Sequence, residues 1–172
     1  MKRRIIGCIT VFTSVFLATP HLAQAADTNS QLADFEGSLI DLGKDWGEAK
    51  ACWSDGRTTE CFRTESQMDS QINQRFTLKA AAVTCATSVK LYSNTSYGGS
   101  VLSLVTRTVP INLSAYGFDN LTSSYVIGSC NALFYDYANN VSPTYPGSTT
   151  ANSSASSMST GWDNRVSSMY IS

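Results

Sequence analysis

Histidine is almost missing from this sequence: the one copy, His21, lies within the first 26 residues. Those residues read as an export signal. Lys2, Arg3 and Arg4 precede an apolar run at 5–17, and the small residues AQAA follow at 23–26. Cleavage near Ala25 or Ala26 would leave a mature, secreted, extracellular chain without imidazole. Ser-His and Cys-His nucleophilic mechanisms are then excluded, and so is the commonest general base. Long apolar runs are missing too: the stretch at 5–17 is too short to span a bilayer comfortably. A lipidated cysteine follows its apolar region, whereas Cys8 precedes most of this one, so no lipid anchor is expected. There is no basic stripe or long charge run, and the formal net charge is −1. That argues against nucleic acid or an anionic membrane as partner. Glu36, Glu48 and Glu60 fall in no paired acid/base pattern, and the reading is of a monomer that is not an enzyme. Signal removal also takes Cys8, leaving Cys52, Cys61, Cys85 and Cys130, an even set that favours two disulfides outside the cell.

Charge is concentrated in one half. Residues 27–79 carry ten acids and six bases, whereas from Ala80 onwards only Asp119, Asp136 and Asp163 face Lys90, Arg107 and Arg165. The remainder is rich in Ser, Thr, Asn, Tyr and Gly. This divides the chain into a signal at 1–26, a small α+β region at 27–80 and a β region at 81–172, with the composition changing near LKAAAVTC at 78–85.

The first region contains a readable hairpin, ACWSDGRTTECF. A two-residue turn at Gly56-Arg57 places Cys52 opposite Cys61, Ser54 opposite Thr59 and Asp55 opposite Thr58. Cysteines directly opposite can bridge. TESQ at 64–67 is a capping-box pattern that opens a helix, with Met68, Ile72 and Phe76 as its apolar stripe. The simplest role for these pieces is a disulfide-stapled cap on the main domain. Trp46 and Trp53 are expected to be partly exposed.

The second region reads as short strands: VKLYS, SVLSLVT, SYVIGS, ALFYDY and VSSMYIS, separated by Gly, Pro, Asn and Ser turns. STTANSSASSMST at 148–160 is of low complexity, either a mobile connection or a plain polar strand. One motif is written twice. GFDNLTSSYVI at 117–127 returns as GWDNRVSSMYI at 161–171, 44 residues later. The glycine, the Asp-Asn pair, both serines and the isoleucine are kept, and Phe118 is exchanged for Trp162, both expected in the core. Such self-similarity marks one supersecondary unit used twice.

With YSNTSYGG at 92–99, which fits an aromatic-x4-aromatic-x-Gly pattern, these stretches resemble the βγ-crystallins over about residues 85–172. The two D-N-x-x-S-S turns are similar to that family's calcium signature. The resemblance implies a mainly β, two-sheet Greek-key sandwich, two keys related by a pseudo-two-fold axis, and a Cys85–Cys130 disulfide between them. It also implies calcium ions, each held between one turn and the hairpin loop of the opposite key. The implied metal ligands are Asn120 and Ser123 in one turn and Asn164 and Ser167 in the other, with Asp119 and Asp163 bracing the turns. Calcium takes six to eight hard oxygens, which such turns supply, although Asp, Asn and Ser also suit tight turns for architecture alone.

The second key departs from the pattern. FYDYANNVSPTYPG at 134–147 has Asn139 and Asn140 where the second aromatic belongs, and Gly147 as the replacement glycine after an inserted loop. The sites should therefore be unequal, with the turn at 163–168 served by the intact loop near 93–97 and the turn at 119–124 by an irregular one. The fold resemblance extends to bacterial inhibitors of metalloproteinases. This leaves two readings: a non-enzymatic, calcium-stabilised secreted protein, or a secreted inhibitor of an extracellular peptidase. Stiff proline-containing segments for the latter are TRTVPI at 106–111 and SPTYPG at 142–147.

Overall fold

The computed structural model of the protein describes residues 30–78 and 87–172. The first part contains β1 (Leu32–Phe35), β2 (Ser38–Asp41), β3 (Ala51–Ser54), β4 (Thr59–Phe62) and α1 (Glu65–Leu78). Two sets of four strands follow. The first is β5 (Val89–Asn94), β6 (Gly98–Leu104), β7 (Ile111–Asn112) and β8 (Ser124–Val126); the second is β9 (Ala132–Tyr137), β10 (Val141–Thr144), β11 (Ser154–Ala155) and β12 (Ser168–Ile171).

The third strand of each set crosses to the other sheet. One sheet runs β11-β8-β5-β6-β3-β4-β1-β2 and the other β10-β9-β12-β7. β7 pairs with β12, and β11 with β8. This reciprocal exchange is the two-fold Greek-key sandwich that the resemblance implies, and the inner faces of both sheets supply one core. Leu91, Leu102, Tyr125 and Phe134 are almost wholly buried there, with Met169 and Ile171. Tyr125 meets Phe134 edge-on at 5.2 Å, and Tyr145 links Tyr125 to Trp162 at 5.7 and 5.4 Å. Such aromatic pairs add to the stabilisation from burial alone. Phe118 and Trp162, the exchanged pair of the repeat, are both buried. The polar run at 148–160 supplies β11, so its serines form an exchanged strand while Met158 points into the core.

The change in composition near residues 78–85 leaves no seam in the sheet. β3 pairs in parallel with β6, Cys52 opposite Leu102, so β1 to β4 continue the first sheet. An otherwise open edge of β6 is thereby covered. The hairpin register is the expected one: Cys52 opposite Cys61 and Ser54 opposite Thr59, with Gly56 at φ +84°. The Cys52–Cys61 disulfide is formed. Cys130 is also disulfide-bonded, while Cys85, its expected partner, lies outside the described residues.

The helix starts where the capping box places it, with the Gln67 amide donating to Thr64 Oγ1 at 3.2 Å. Met68 and Ile72 pack on Trp53, Tyr92 and Val101 on the outer face of the sheet. Trp53, expected to be partly exposed, is buried because the helix covers it. Trp46 does remain half-exposed. A charged clamp fixes the helix in place. Lys90 Nζ donates to Glu65 Oε1 and Asp69 Oδ1, both at 2.7 Å, and the Tyr92 hydroxyl donates to Glu65 at 2.8 Å.

Burial disfavours charge on Lys90, but the hydrogen bonds it donates to Asp69 and Glu65 outweigh this and hold the ammonium above its ordinary value. A raised lysine contributes stability that is complete below the unfolded-state value and is lost as pH rises through the folded one. Lys90→Met should therefore cost about 2 kcal/mol near neutral pH. The difference from the unsubstituted protein should shrink only above pH 10.5, the ordinary lysine value. Urea denaturation across pH 7 to 11 (roughly spanning that window) measures this. A constant difference at every pH would show that the clamp is not electrostatic.

Candidate metal centre

The two repeated turns meet at the pseudo-dyad, and each holds the other. The Asn120 amide donates to the Val166 carbonyl, and the Asn164 amide to the Thr122 carbonyl, both at 3.0 Å. Asn120 and Asn164 occupy the left-handed region at φ +56° and +54°. Asparagine tolerates that region better than most residues. The sequence grouped Asn120 with Ser123 and Asn164 with Ser167, one site per turn; the structure pairs them across the turns. Ser123 Oγ donates to Asn164 Oδ1 at 3.2 Å, and Ser167 Oγ donates to Asn120 Oδ1 at 3.3 Å. Each candidate site therefore takes its hydroxyl from one turn and its amide oxygen from the other. The dyad brings position two of each turn beside position five of its mate.

Asp119 and Asp163 lie against the asparagines that follow them. Their carboxylates accept from the neighbouring amide groups, Asn120 Nδ2 at 3.3 Å and Asn164 Nδ2 at 3.5 Å. That fixes which end of each amide faces the paired serine. The last serine of each turn holds the hairpin loop of its own key. Ser124 Oγ donates to Asn94 O at 2.6 Å and accepts from the Tyr97 amide at 3.1 Å. Ser168 Oγ does the same with Tyr137 O at 2.6 Å and the Asn140 amide at 2.9 Å.

These matched bonds overturn the expectation that the second loop is irregular and longer. Asn94 pairs with Gly98 around one loop, and Tyr137 with Val141 around the other, so each loop has the same length. Ser96 and Tyr97 have φ of +57° and +59°; Asn139 and Asn140 have +59° and +61°. Two asparagines reproduce by their own tolerance what the aromatic-glycine pattern secures in the first key. Asn112 reinforces them, donating to Asn139 Oδ1 at 2.9 Å and accepting from the Asn139 amide at 2.7 Å. Gly147 is no replacement glycine, since it lies beyond β10. Residues 142–147 form no projecting loop either: Ser142 to Thr144 are edge strand and Tyr145 is anchored in the core. Val109, in the other segment considered for a peptidase, is exposed.

Charge separates the two sites. Asp136, beside the second loop, is tied to Arg165 Nη2 at 2.7 Å, and that guanidinium lies over the Trp162 ring. A hydrogen bond from Arg165 holds the Asp136 carboxyl below its usual range. A cleft of about 650 Å³ is lined by Asn94, by one asparagine of each turn, Asn120 and Asn164, and by residues 42–46. Among the described residues no three His, Cys, Asp or Glu side chains cluster to hold a metal. The donors are hard and mostly neutral: amide oxygens, hydroxyls and loop carbonyls. They fit calcium rather than a transition metal, and their low charge fits modest affinity.

No family model matches the sequence, and no curated protein matches it. Several solved structures align with about half of the chain. A βγ-crystallin from Ciona intestinalis aligns with 49% of this chain and 99% of its own, at 20% identity and a TM-score of 0.42. The N-terminal domain of protein S aligns with 49% of this chain and 94% of its own, at 19% identity and a TM-score of 0.41. A βγ-crystallin domain from Flavobacterium johnsoniae aligns with 49% of this chain and 92% of its own, at 24% identity and a TM-score of 0.39. The exchange of β7 and β11 about the dyad defines a βγ-crystallin-like Greek-key fold.

Proposed function

We propose that this is a secreted, non-enzymatic βγ-crystallin-like protein that binds calcium and gains stability from it. The observation that carries the reading is the reciprocal seating of Asn120 on Ser167 and Asn164 on Ser123. Asp119 and Asp163 turn the amide oxygens toward those hydroxyls. Each of these hydrogen bonds brings a hydroxyl and an amide oxygen from different turns together, a pair of hard ligands at both ends of the dyad. A bound ion would replace each Ser–Asn hydrogen bond with shared coordination and tie the two keys together. Export is supported by the signal pattern at 1–26, and the lack of enzymatic activity by a mature chain without histidine.

Ligand that binds only the native state stabilises it by mass action, by about 2.7 kcal/mol at a hundredfold excess over Kd. The mature protein should therefore melt several degrees higher in millimolar calcium than in chelator, and calorimetry should show saturable heat. Coincident melting curves together with no heat of binding would leave the turns as architecture alone.

A further inference from the structure

The outer faces of the two sheets differ in what they meet. On the larger sheet, Met68 and Ile72 of the helix are seated on Trp53, Tyr92 and Val101. On the smaller sheet, β10-β9-β12-β7, large apolar side chains stay open to solvent: Leu133, Tyr137 and Val141 are 44%, 56% and 54% exposed. Alternation along β9 turns Phe134 into the core and Leu133, Tyr135 and Tyr137 outward. Register then brings their neighbours to the same side. Tyr170 of β12 lies opposite Leu133, and Val141 and Thr144 of β10 lie opposite Tyr137 and Tyr135. Directly opposed residues share a face, so Tyr170, Tyr135 and Tyr137 make an aromatic stripe across it.

Two properties limit what this face can hold. It lacks charge. Asp136 is the only charged side chain of these four strands; alternation sends it to the other side, where Arg165 pairs with it. An acidic polymer finds no cation on these strands. The face is also small. Strands about 4.8 Å apart, and five residues from Leu133 to Tyr137, give a platform roughly 15 Å across and about 200 Å² in area. A stable protein interface takes about 800 Å² from each partner, which this face alone does not offer to a second copy.

Tyrosine presents an apolar ring and a polar tip, and among the described residues none of the three hydroxyls donates a hydrogen bond. A pyranose is the complementary object, with C–H groups on its faces, hydroxyls round its rim and no charge. An open sheet face, unlike a closed pocket, accepts an extended chain of such rings. We propose that the outer face of β9 and β12 binds a neutral, extended, β-1,4-linked polysaccharide, with Tyr137, Tyr135 and Tyr170 stacking on its sugars. The site is separate from the calcium reading and does not depend on it.

The test is affinity electrophoresis of the full mature chain, in chelator, through gels containing hydroxyethylcellulose. The protein should be retarded, and Tyr137→Ala and Tyr170→Ala should each weaken binding about fivefold. Tyr137→Phe keeps the ring and should keep most of the retardation. Leu39→Ala removes a side chain that is 74% exposed on β2 and should change nothing. Melting curves identify any variant that is misfolded; Tyr137, the most exposed of the three tyrosines, gives the deciding substitution. No retardation of the unsubstituted protein, or equal retardation of Tyr137→Ala, would overturn the proposal. So would a dimer in sedimentation that Tyr137→Ala dissociates while the gel shows no binding, which would assign the face to a second copy.

Discussion

Gly117→Ala should lower the free energy of unfolding by about 4 kcal/mol, whereas Gly161→Ala, the same glycine of the other repeat, should cost only about 1 kcal/mol. Both glycines have positive φ, +61° and +79°. An alanine meets the same left-handed penalty at either position, and that is the smaller effect. The larger one is a collision. A Cβ on Gly117 would lie 2.1 Å from the Leu42 carbonyl oxygen and 3.2 Å from its carbon, whereas one on Gly161 has nothing within 4 Å. Backbone cannot rotate aside as a side chain can, so the 42–46 segment must lift. Leu42, now 1% exposed, would lose part of its burial, and the Trp46–Tyr116 hydrogen bond would break. Those two losses are worth about 2 and about 1 kcal/mol. Urea unfolding with unchanged m-values measures the pair. Equal destabilisation by both substitutions would mean that the N-terminal segment is not seated against the first turn.

The second expected result concerns coupling between the four candidate ligands. Ser123→Ala and Asn164→Ala should each weaken the same calcium site, by about tenfold, which is about 1.4 kcal/mol. Combining them should cost little more than either alone, because a site that has lost one of two facing donors has less to lose with the second. Ser167→Ala and Asn120→Ala should form the other non-additive pair, whereas Ser123→Ala with Asn120→Ala should add. Each pair should therefore report its own site, and Asp136, beside the loop that faces Ser167 and Asn120, is neutralised by Arg165. Two-site calorimetry of the singles and doubles resolves this. Coupling within a turn, Asn120 with Ser123 and Asn164 with Ser167, would contradict the geometry across the dyad.

Local and periodic features were legible without coordinates because local forces set them. The Gly56-Arg57 turn determines which residues face each other in β3 and β4, and so the Cys52–Cys61 bridge. Thr64 starts the helix by accepting a hydrogen bond within its own turn. The twice-written motif announced one supersecondary unit used twice, and the resemblance supplied the two-fold sandwich. The resemblance also singled out positions two and five of that motif as candidate oxygen donors. Three matters depended on parts of the chain that only folding brings together. One was partnership: which asparagine meets which serine is decided by the dyad. Another was loop shape, since Asn139 and Asn140 adopt the left-handed dihedrals of Ser96 and Tyr97 without sharing their identities, and the backbone requires the dihedrals alone. The third was the place of the charged region. Pairing of β3 with β6 and the seating of Leu42 beneath Gly117 run through backbone edges and carbonyls. Those are common to every residue and leave no mark in the order of side chains.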